Sequence, residues 1–329
     1  MMPLRVFVRC FCCALALISV LHAQEKNYRF LHLDVNEGLS QGSVFAIAQD
    51  YLGFMWIGTR DGLNKYDARK FTIYRSNPQD SLSLEHNFIQ AITEDNKRRL
   101  WIGTMTGLNL YNRASDNFIR IPLPTVESSS GKMDVNVHQI FQDSKGKIWI
   151  ATNIGLYKIK EGRHLEAELV FNEITVERSQ GKEYYRNFRT VYEDRRKRLW
   201  FCTDDAIVLM QAASKDGNSL KVLRTYFKEK SVDNKVNQRF QAVLEVSPGV
   251  FWVGTKYNGI RIINEHTGEI SSLTEAGNHT GLASQDVRSL KKTVDGKIWI
   301  GTFNGLYVYQ NGKLLFIQAD DGNPNSLSN

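Results

Sequence analysis

The chain has little cysteine and no clustered metal ligands. Of its four cysteines, Cys10, Cys12 and Cys13 fall within the first 23 residues, which leaves Cys202 alone in the remainder. No intrachain disulfide can then form in residues 24–329, so stability there has to come from a packed core. The histidines, His22, His32, His86, His138, His164, His266 and His279, are scattered without metal-ligand spacing, and no metal or other cofactor is expected. Neither a Gly-Xaa-Ser-Xaa-Gly elbow nor a phosphate-binding loop is present, so the sequence carries no signature of those hydrolases or nucleotide enzymes. Helical periodicity, a nucleotide-binding glycine pattern, a helical phosphoacceptor segment and a second apolar span are missing as well.

A first apolar run is present. Arg5 and Arg9 flank the start of Cys10 to Leu21, and Leu21-His22-Ala23 closes it before the polar Gln24-Glu25-Lys26. Residues 1–23 read as an export signal peptide, because the run is short for a membrane span and ends on a small residue; an uncleaved signal anchor is the rival reading. Removing this segment takes away two Arg and no acid, so the formal net charge falls from +7 to +5. The basic clusters Lys97-Arg98-Arg99 and Arg195-Arg196-Lys197-Arg198 sit where hairpin turns are expected. They are read as solvated turns, and no nucleic-acid contact is expected.

What the sequence has in quantity is a repeat. All the tryptophans, Trp56, Trp101, Trp149, Trp200, Trp252 and Trp299, stand in copies of one motif at intervals of 45, 48, 51, 52 and 47 residues. An anchored aromatic at that period marks a stacked or radial architecture. Three residues after each Trp comes Thr (Thr59, Thr104, Thr152, Thr203, Thr255, Thr302), and two after it a small residue (Gly58, Gly103, Ala151, Cys202, Gly254, Gly301). Apolar residues flank the Trp on both sides, so the strand is apolar on both faces and fits a sheet covered from both sides. The small residue marks the close approach of a neighbouring sheet.

Upstream of each Trp lies a short apolar run, Val44 to Ala48 in the first copy, followed by a polar turn. That turn holds Asp six before Trp in four copies (Asp50, Asp95, Asp143, Asp194) and Gly three before it in four (Gly53, Gly146, Gly249, Gly296). The pair describes a tight hairpin, and an Asp that recurs once per unit is structural rather than catalytic. A second turn with Gly62, Gly107, Gly155, Gly259 or Gly305 leads to a third strand, and a fourth follows in most units. Four antiparallel strands per unit describe a β-propeller blade. The fold class expected is all-β, a propeller with six complete four-stranded blades over residues 24–329 and parts of a seventh.

The seventh blade is expected from both ends. Tyr28 to Leu33 looks like a lone outer strand, and Asn323-Pro324-Asn325-Ser326-Leu327-Ser328 resembles Asn77-Pro78-Gln79-Asp80-Ser81-Leu82-Ser83, which opens the second unit. Propellers close by completing one terminal blade with a strand from the other terminus. The inner strands of blade seven would then lie beyond Asn329.

The composite Asp50-Tyr-Leu-Gly53-Phe-Met-Trp56-Ile-Gly58-Thr59-Arg-Asp-Gly62-Leu-Asn-Lys-Tyr66 closely resembles the two-component regulator propeller repeat. Copy four departs from it: Trp200-Phe-Cys202-Thr203-Asp204-Asp205-Ala206 lacks both glycines, so its second turn is expected to take another shape. Copy five has one residue more between Thr255 and Gly259. The resemblance implies a periplasmic sensor that precedes a membrane helix, a histidine kinase and a receiver, with oligosaccharide ligands, a homodimeric full-length form and a parent anchored in the inner membrane. The signalling parts are not in these residues, so no enzyme activity is expected of them.

A ligand is expected on the face of the second turns, where the residues vary between copies. Aromatic rings stack on sugar faces and amides bond to hydroxyls, so Tyr257, Asn258, Phe303 and Asn304, with Arg60 and Asp61, are the candidate site. Two alternatives remain: a propeller that only mediates protein contacts such as dimerisation, and a propeller glycosidase or lyase. An enzyme would place carboxylates or a His once on the inner strands, and runs such as Val137 to Phe141 offer none in a distinctive place.

Overall fold

The computed structural model describes residues 28–329, except 126, 129–130, 163, 172–173, 179–180, 186, 213–219, 228–238, 274–281, 283, 321, 324–325 and 328–329. The expected export segment, residues 1–23, lies outside the described residues. Chain contacts divide the protein into a large unit, Leu33–Gln318, and a small one formed by Met1–His32 with Ala319–Asn329.

The large unit is a six-bladed β-propeller of four-stranded antiparallel sheets, and no helix occurs among the described residues. Blade one comprises Val44–Gln49, Met55–Thr59, Gly62–Tyr66 and Phe71–Tyr74, and blade two Ile89–Glu94, Leu100–Thr104, Leu108–Asn112 and Asn117–Ile121. Blade three has Val137–Gln142, Ile148–Thr152, Leu156–Glu161 and Leu165–Phe171, and blade four Phe188–Glu193, Leu199–Thr203, Ile207–Ala212 and Leu220–Tyr226. Blade five has Phe240–Ser247, Val250–Thr255, Ile260–Asn264 and Ile270–Ser272, and blade six Val287–Lys292, Ile298–Thr302, Gly305–Gln310 and Lys313–Ile317. Two short hairpins in the links after blades two and three, Glu127–Ser128 with Gly131–Lys132 and Ile174–Arg178 with Gly181–Tyr185, were not expected, since they carry no Trp-centred motif.

In blades one to five the tryptophan of the second strand packs into the blade that follows. Trp56 joins a buried cluster with Leu100 and Ile102 of blade two, and Trp101 one with Val137 and Ile150 of blade three. Trp149 packs with Phe188 and Phe201, Trp200 with Phe240 and Phe251, and Trp252 with Val287 and Ile300. Burying one such side chain contributes roughly 2–3 kcal/mol before strain and entropy are counted. The small residue two after Trp permits this approach: a Cβ on Gly103 would stand 2.4 Å from Val137 Cγ1, and one on Gly58 2.7 Å from Ile89 Cγ2.

Asp and Trp are joined by a hydrogen bond. Trp149 Nε1 donates to Asp143 Oδ2 at 2.9 Å, and Trp56, Trp101 and Trp200 do the same to Asp50, Asp95 and Asp194. The other carboxylate oxygen closes the hairpin, accepting Lys145 N–H and Lys147 N–H in blade three. Gly53, Gly146, Gly249 and Gly296 supply positive φ in this turn, and Arg98 and Lys197 adopt φ of 62° and 63° at the same place. The basic clusters are therefore turn residues. Their last members, Arg99 and Arg198, pair with Asp95 and Asp194 and reach Glu161 and Glu265 on the following blade.

A second clasp ties each first turn to the next blade. The sixth residue of the inner strand accepts a backbone N–H from the preceding turn: Glu94 from Tyr51, Gln142 from Asn96, Glu193 from Ser144 and Glu245 from Arg195. Blade six reverses the polarity, and Lys292 Nζ donates to Val246 C=O at 2.7 Å.

The recurring threonines have a common task that sequence spacing did not reveal. Each hydroxyl donates to a carbonyl across the second turn, as Thr152 Oγ1 does to Gly155 O at 2.7 Å, and accepts a turn N–H in return. Copy four corrects an expectation: Thr203 Oγ1 bonds Ala206 O at 2.9 Å and accepts Ala206 N–H, so its turn keeps the common form. Ala206 needs no positive φ there and is fully buried. The extra residue of copy five is absorbed by a bond from Thr255 Oγ1 to Gly259 O, one residue further along.

Tyr28 to Leu33 forms no strand, contrary to the sequence reading. A strand requires a paired neighbour for its N–H and C=O groups, and no described strand pairs with it. Within the small unit, His32 Nε2 lies 2.7 Å from Ser326 O.

The segment 319–327 repeats the internal bonding of 76–84. Ser326 Oγ accepts Asp320 N–H at 2.9 Å and donates to Asp320 O at 3.0 Å; Ser83 Oγ does both with Asn77, at 2.9 and 2.9 Å. Parallel bridges Ala319 to Leu327 and Ser76 to Leu84 match too. The hydroxyl that closes the loop thus aligns Ser326 with Ser83, three residues away from the register that matching Asn-Pro suggested.

Asp143→Ala leaves one indole and two backbone N–H groups without an acceptor in a buried turn. The expected loss is about 2–4 kcal/mol of unfolding free energy, measured by urea denaturation.

Candidate functional site

All the inner strands begin alike. Their first residues, Val44, Ile89, Val137, Phe188, Phe240 and Val287, pair with the Thr that ends the second strand, and a β-bulge follows at once. The extra residue of the bulge is the second in each strand: Phe45, Gln90, His138, Arg189, Gln241 and Arg288. A bulge re-aims one side chain out of the pleat. All these residues line one cavity of about 890 Å³ between the inner strands, level with the second turns.

The polar chemistry of this mouth is one-sided. Arg189, Arg288, Lys291 and Lys292 line it, and among the described residues no carboxylate does. Acids stand behind the guanidinium groups: Asp204 accepts from Arg189 Nε, and Asp286 accepts from Arg288 Nη2 at 2.9 Å and from Gln241 Nε2 at 2.7 Å. Four buried atoms have no hydrogen-bond partner, namely Gln90 Oε1, Asn136 Oδ1 and His138 Nε2 on lining residues and Asn187 Oδ1 on a residue outside the lining. Buried polar atoms are nearly always satisfied, so a group of four is unusual. Burial, followed by the charge of Arg189, pushes the His138 imidazole down to about 4, against the opposing pull of Asn187 and Asp204.

The residues singled out from sequence lie on the second turns, on the rim of this mouth. Tyr257 is 50% and Phe303 73% exposed, and Asn258 and Asn304 are exposed beside them. The Arg288 guanidinium stands 5.1 Å from the Phe303 ring centre, which links that turn to the mouth. Arg60 lies over Phe45 and Phe88 at 5.4 and 5.3 Å, while Asp61 is held by Arg75 at 2.9 Å. The ring of bulge residues was missed. Its signal was the polar second residue after an apolar first in five of the inner strands, hidden because a bulge breaks the alternation used to assign faces.

Cys202 is free and wholly buried, and burial pushes its thiol well above the usual range, so it is not a nucleophile. Among the described residues no group of His, Cys, Asp or Glu could hold a metal ion.

Comparison with known proteins agrees with the repeat. A family model for the two component regulator propeller matches residues 38–61, 83–106, 131–153 and 281–304. Copies four and five, which depart from the motif, lie outside these segments. Histidine kinase P4 of Formosa agariphila is 53% identical over 64 residues, 20% of this chain and 5% of that protein. The extracellular domain of a hybrid two component system from B. thetaiotaomicron has a TM-score of 0.65 at 23% identity, covering 92% of this chain and 38% of its own. PorZ, a surface component of the type-IX secretion system of Porphyromonas gingivalis, has a TM-score of 0.61 at 16% identity, over 82% of this chain and 38% of its own. Virginiamycin B lyase of Staphylococcus aureus gives 0.55 at 12% identity, over 84% of each chain. At these identities the solved structures show the fold alone. The chain thus spans a small part of the curated relative and about two fifths of the first two structures.

His138 yields a pH test. Its proton is taken up below pH about 6.5 in the unfolded chain but only below about 4 in the folded one. Stability therefore declines as pH falls from about 6.5 to 4, by up to about 3 kcal/mol. His138→Gln is expected to flatten that slope in denaturation curves recorded across this range.

Proposed function

We propose that this chain, whose repeats are those of the two component regulator propeller, is the extracytoplasmic ligand-sensing part of a bacterial two-component signalling protein. Its ligand is an oligosaccharide, and a kinase outside these residues receives the signal. The observation that carries the reading is the mouth between the inner strands, rimmed by exposed Tyr257 and Phe303 and lined by amides. Rings and amides of this kind suit a polyhydroxylated ligand. The presence of the repeat in a histidine kinase supports the signalling role. Export through residues 1–23 and a periplasmic location accompany it, with the parent protein held in the inner membrane.

The propeller is completed by a seventh blade between blades six and one. Blades two to six bury the first inner-strand residue completely, at 0% exposure, whereas Val44 of blade one is 41% exposed. Gly301 of blade six meets only Ser289 of its own sheet, while Gly58, Gly103 and Gly254 each meet the next blade. The loop 319–327, bonded like the one that opens blade two, supports the start of such a blade. The uncovered strands Val44–Gln49 and Ile298–Thr302 equally favour self-association of the isolated chain, which fits a homodimeric role.

Two outcomes are expected. The reading frame beyond Asn329 encodes a further Trp 45 to 52 residues after Trp299, the spacing of the known copies, with a small residue two later and Thr three later. Calorimetry against an oligosaccharide panel detects binding that a Tyr257→Ala, Phe303→Ala double variant weakens. A helical segment in place of the seventh motif, or no binding across the panel, contradicts the respective claim.

A further inference from the structure

We propose that the mouth takes an acidic saccharide, its carboxylate or sulfate held by Arg288 and Lys291 and its hydroxyls by Gln90, Asn136 and His138. The inference rests on the reading of this chain as an oligosaccharide sensor and narrows the ligand's chemistry and its seat.

The bulge in each blade contributes one side chain to the mouth while the blade packing behind stays constant. The structural residues therefore repeat and the mouth residues do not. The cavity, about 890 Å³, lies within the range of small-molecule sites and has room for more than one sugar ring. Its lining cations, Arg189, Arg288, Lys291 and Lys292, face no lining carboxylate. Asp204 accepts from Arg189 Nε and Asp286 from Arg288 Nε and Nη2, and both arginines line the cavity. Lys292 is committed to Val246 C=O and Arg189 is part-buried beside Asp204, whereas Arg288 and Lys291 stand at exposed positions and are the accessible charges. A recessed site of one sign focuses its field on an anion.

The orphaned atoms supply the rest. Gln90 Oε1 and Asn136 Oδ1 accept hydrogen bonds, and neutral His138 offers Nε2 in either role. Sugar hydroxyls donate and accept, and so satisfy these groups together with the remaining guanidinium N–H. Phe45, packed edge-on against Phe88 at 4.6 Å, presents an apolar wall where a ring can stack.

The experiment is calorimetric titration of the 329-residue chain with tetragalacturonate, a sulfated chondroitin tetrasaccharide and neutral cellotetraose, at low and high salt. At least one acidic probe is expected to bind and cellotetraose not to. Arg288→Gln and Lys291→Gln, both at exposed positions, are each expected to weaken binding about tenfold and to reduce its salt dependence, with unchanged unfolding midpoints. Binding of galacturonate alone identifies a carboxylate, of the chondroitin probe alone a sulfate, and of both the shared charge. Equal binding of cellotetraose overturns the acidic assignment and leaves the sensor reading standing. Acidic binding that both variants leave untouched, but that Tyr257→Ala abolishes, moves the site to the outer turns and overturns this one. No binding of any probe removes both.

Discussion

Each blade presents a second strand that is apolar on both faces, and the following blade covers it. That constraint fixes most of the repeat. Trp must follow an apolar residue because both faces are buried, and a small residue must come two later because the next inner strand approaches to contact distance. The indole has an N–H that cannot be buried free, and the carboxylate six residues earlier accepts it while closing the hairpin with its other oxygen. The clasp from the first turns of blades one to five to the next inner strand gives these contacts a direction around the ring.

The same geometry separates structure from function within a span of two residues. The first residue of an inner strand is locked against the preceding blade, and the second is turned out by the bulge. One position is fully buried in blades two to six, and the next is free to be Gln, His or Arg. A propeller can then change ligand without changing its packing. The cations and unsatisfied acceptors of this mouth are what remains after the packing demands have been met.

Sequence reading reached the scaffold more easily than the site. Trp at a period of 45 to 52 residues, Thr three later and Gly at the hairpin are forced by packing and backbone conformation, so they recur and are visible. Tyr257 and Phe303 were found as aromatics on variable turns, and the structure places Phe303 beside Arg288. The bulge residues stayed hidden because a bulge inverts the face that alternation assigns, and His138 looked like one of several scattered histidines. The task of Thr152 was equally hidden, since spacing shows that a residue recurs but not what its hydroxyl bonds. Tyr28 to Leu33 had strand composition, yet pairing makes a strand, and composition says nothing of a partner.

The central claim is that each of blades one to five is held by the one after it, and that the inner strand of blade one and the second strand of blade six are less covered than their counterparts. Hydrogen exchange measured by mass spectrometry on the intact chain addresses it most directly, because local opening follows loss of packing. The account predicts that amides of Val44–Thr59 and Ile298–Gln310 exchange well before those of blades three and four. Uniform protection across all the blades would contradict it.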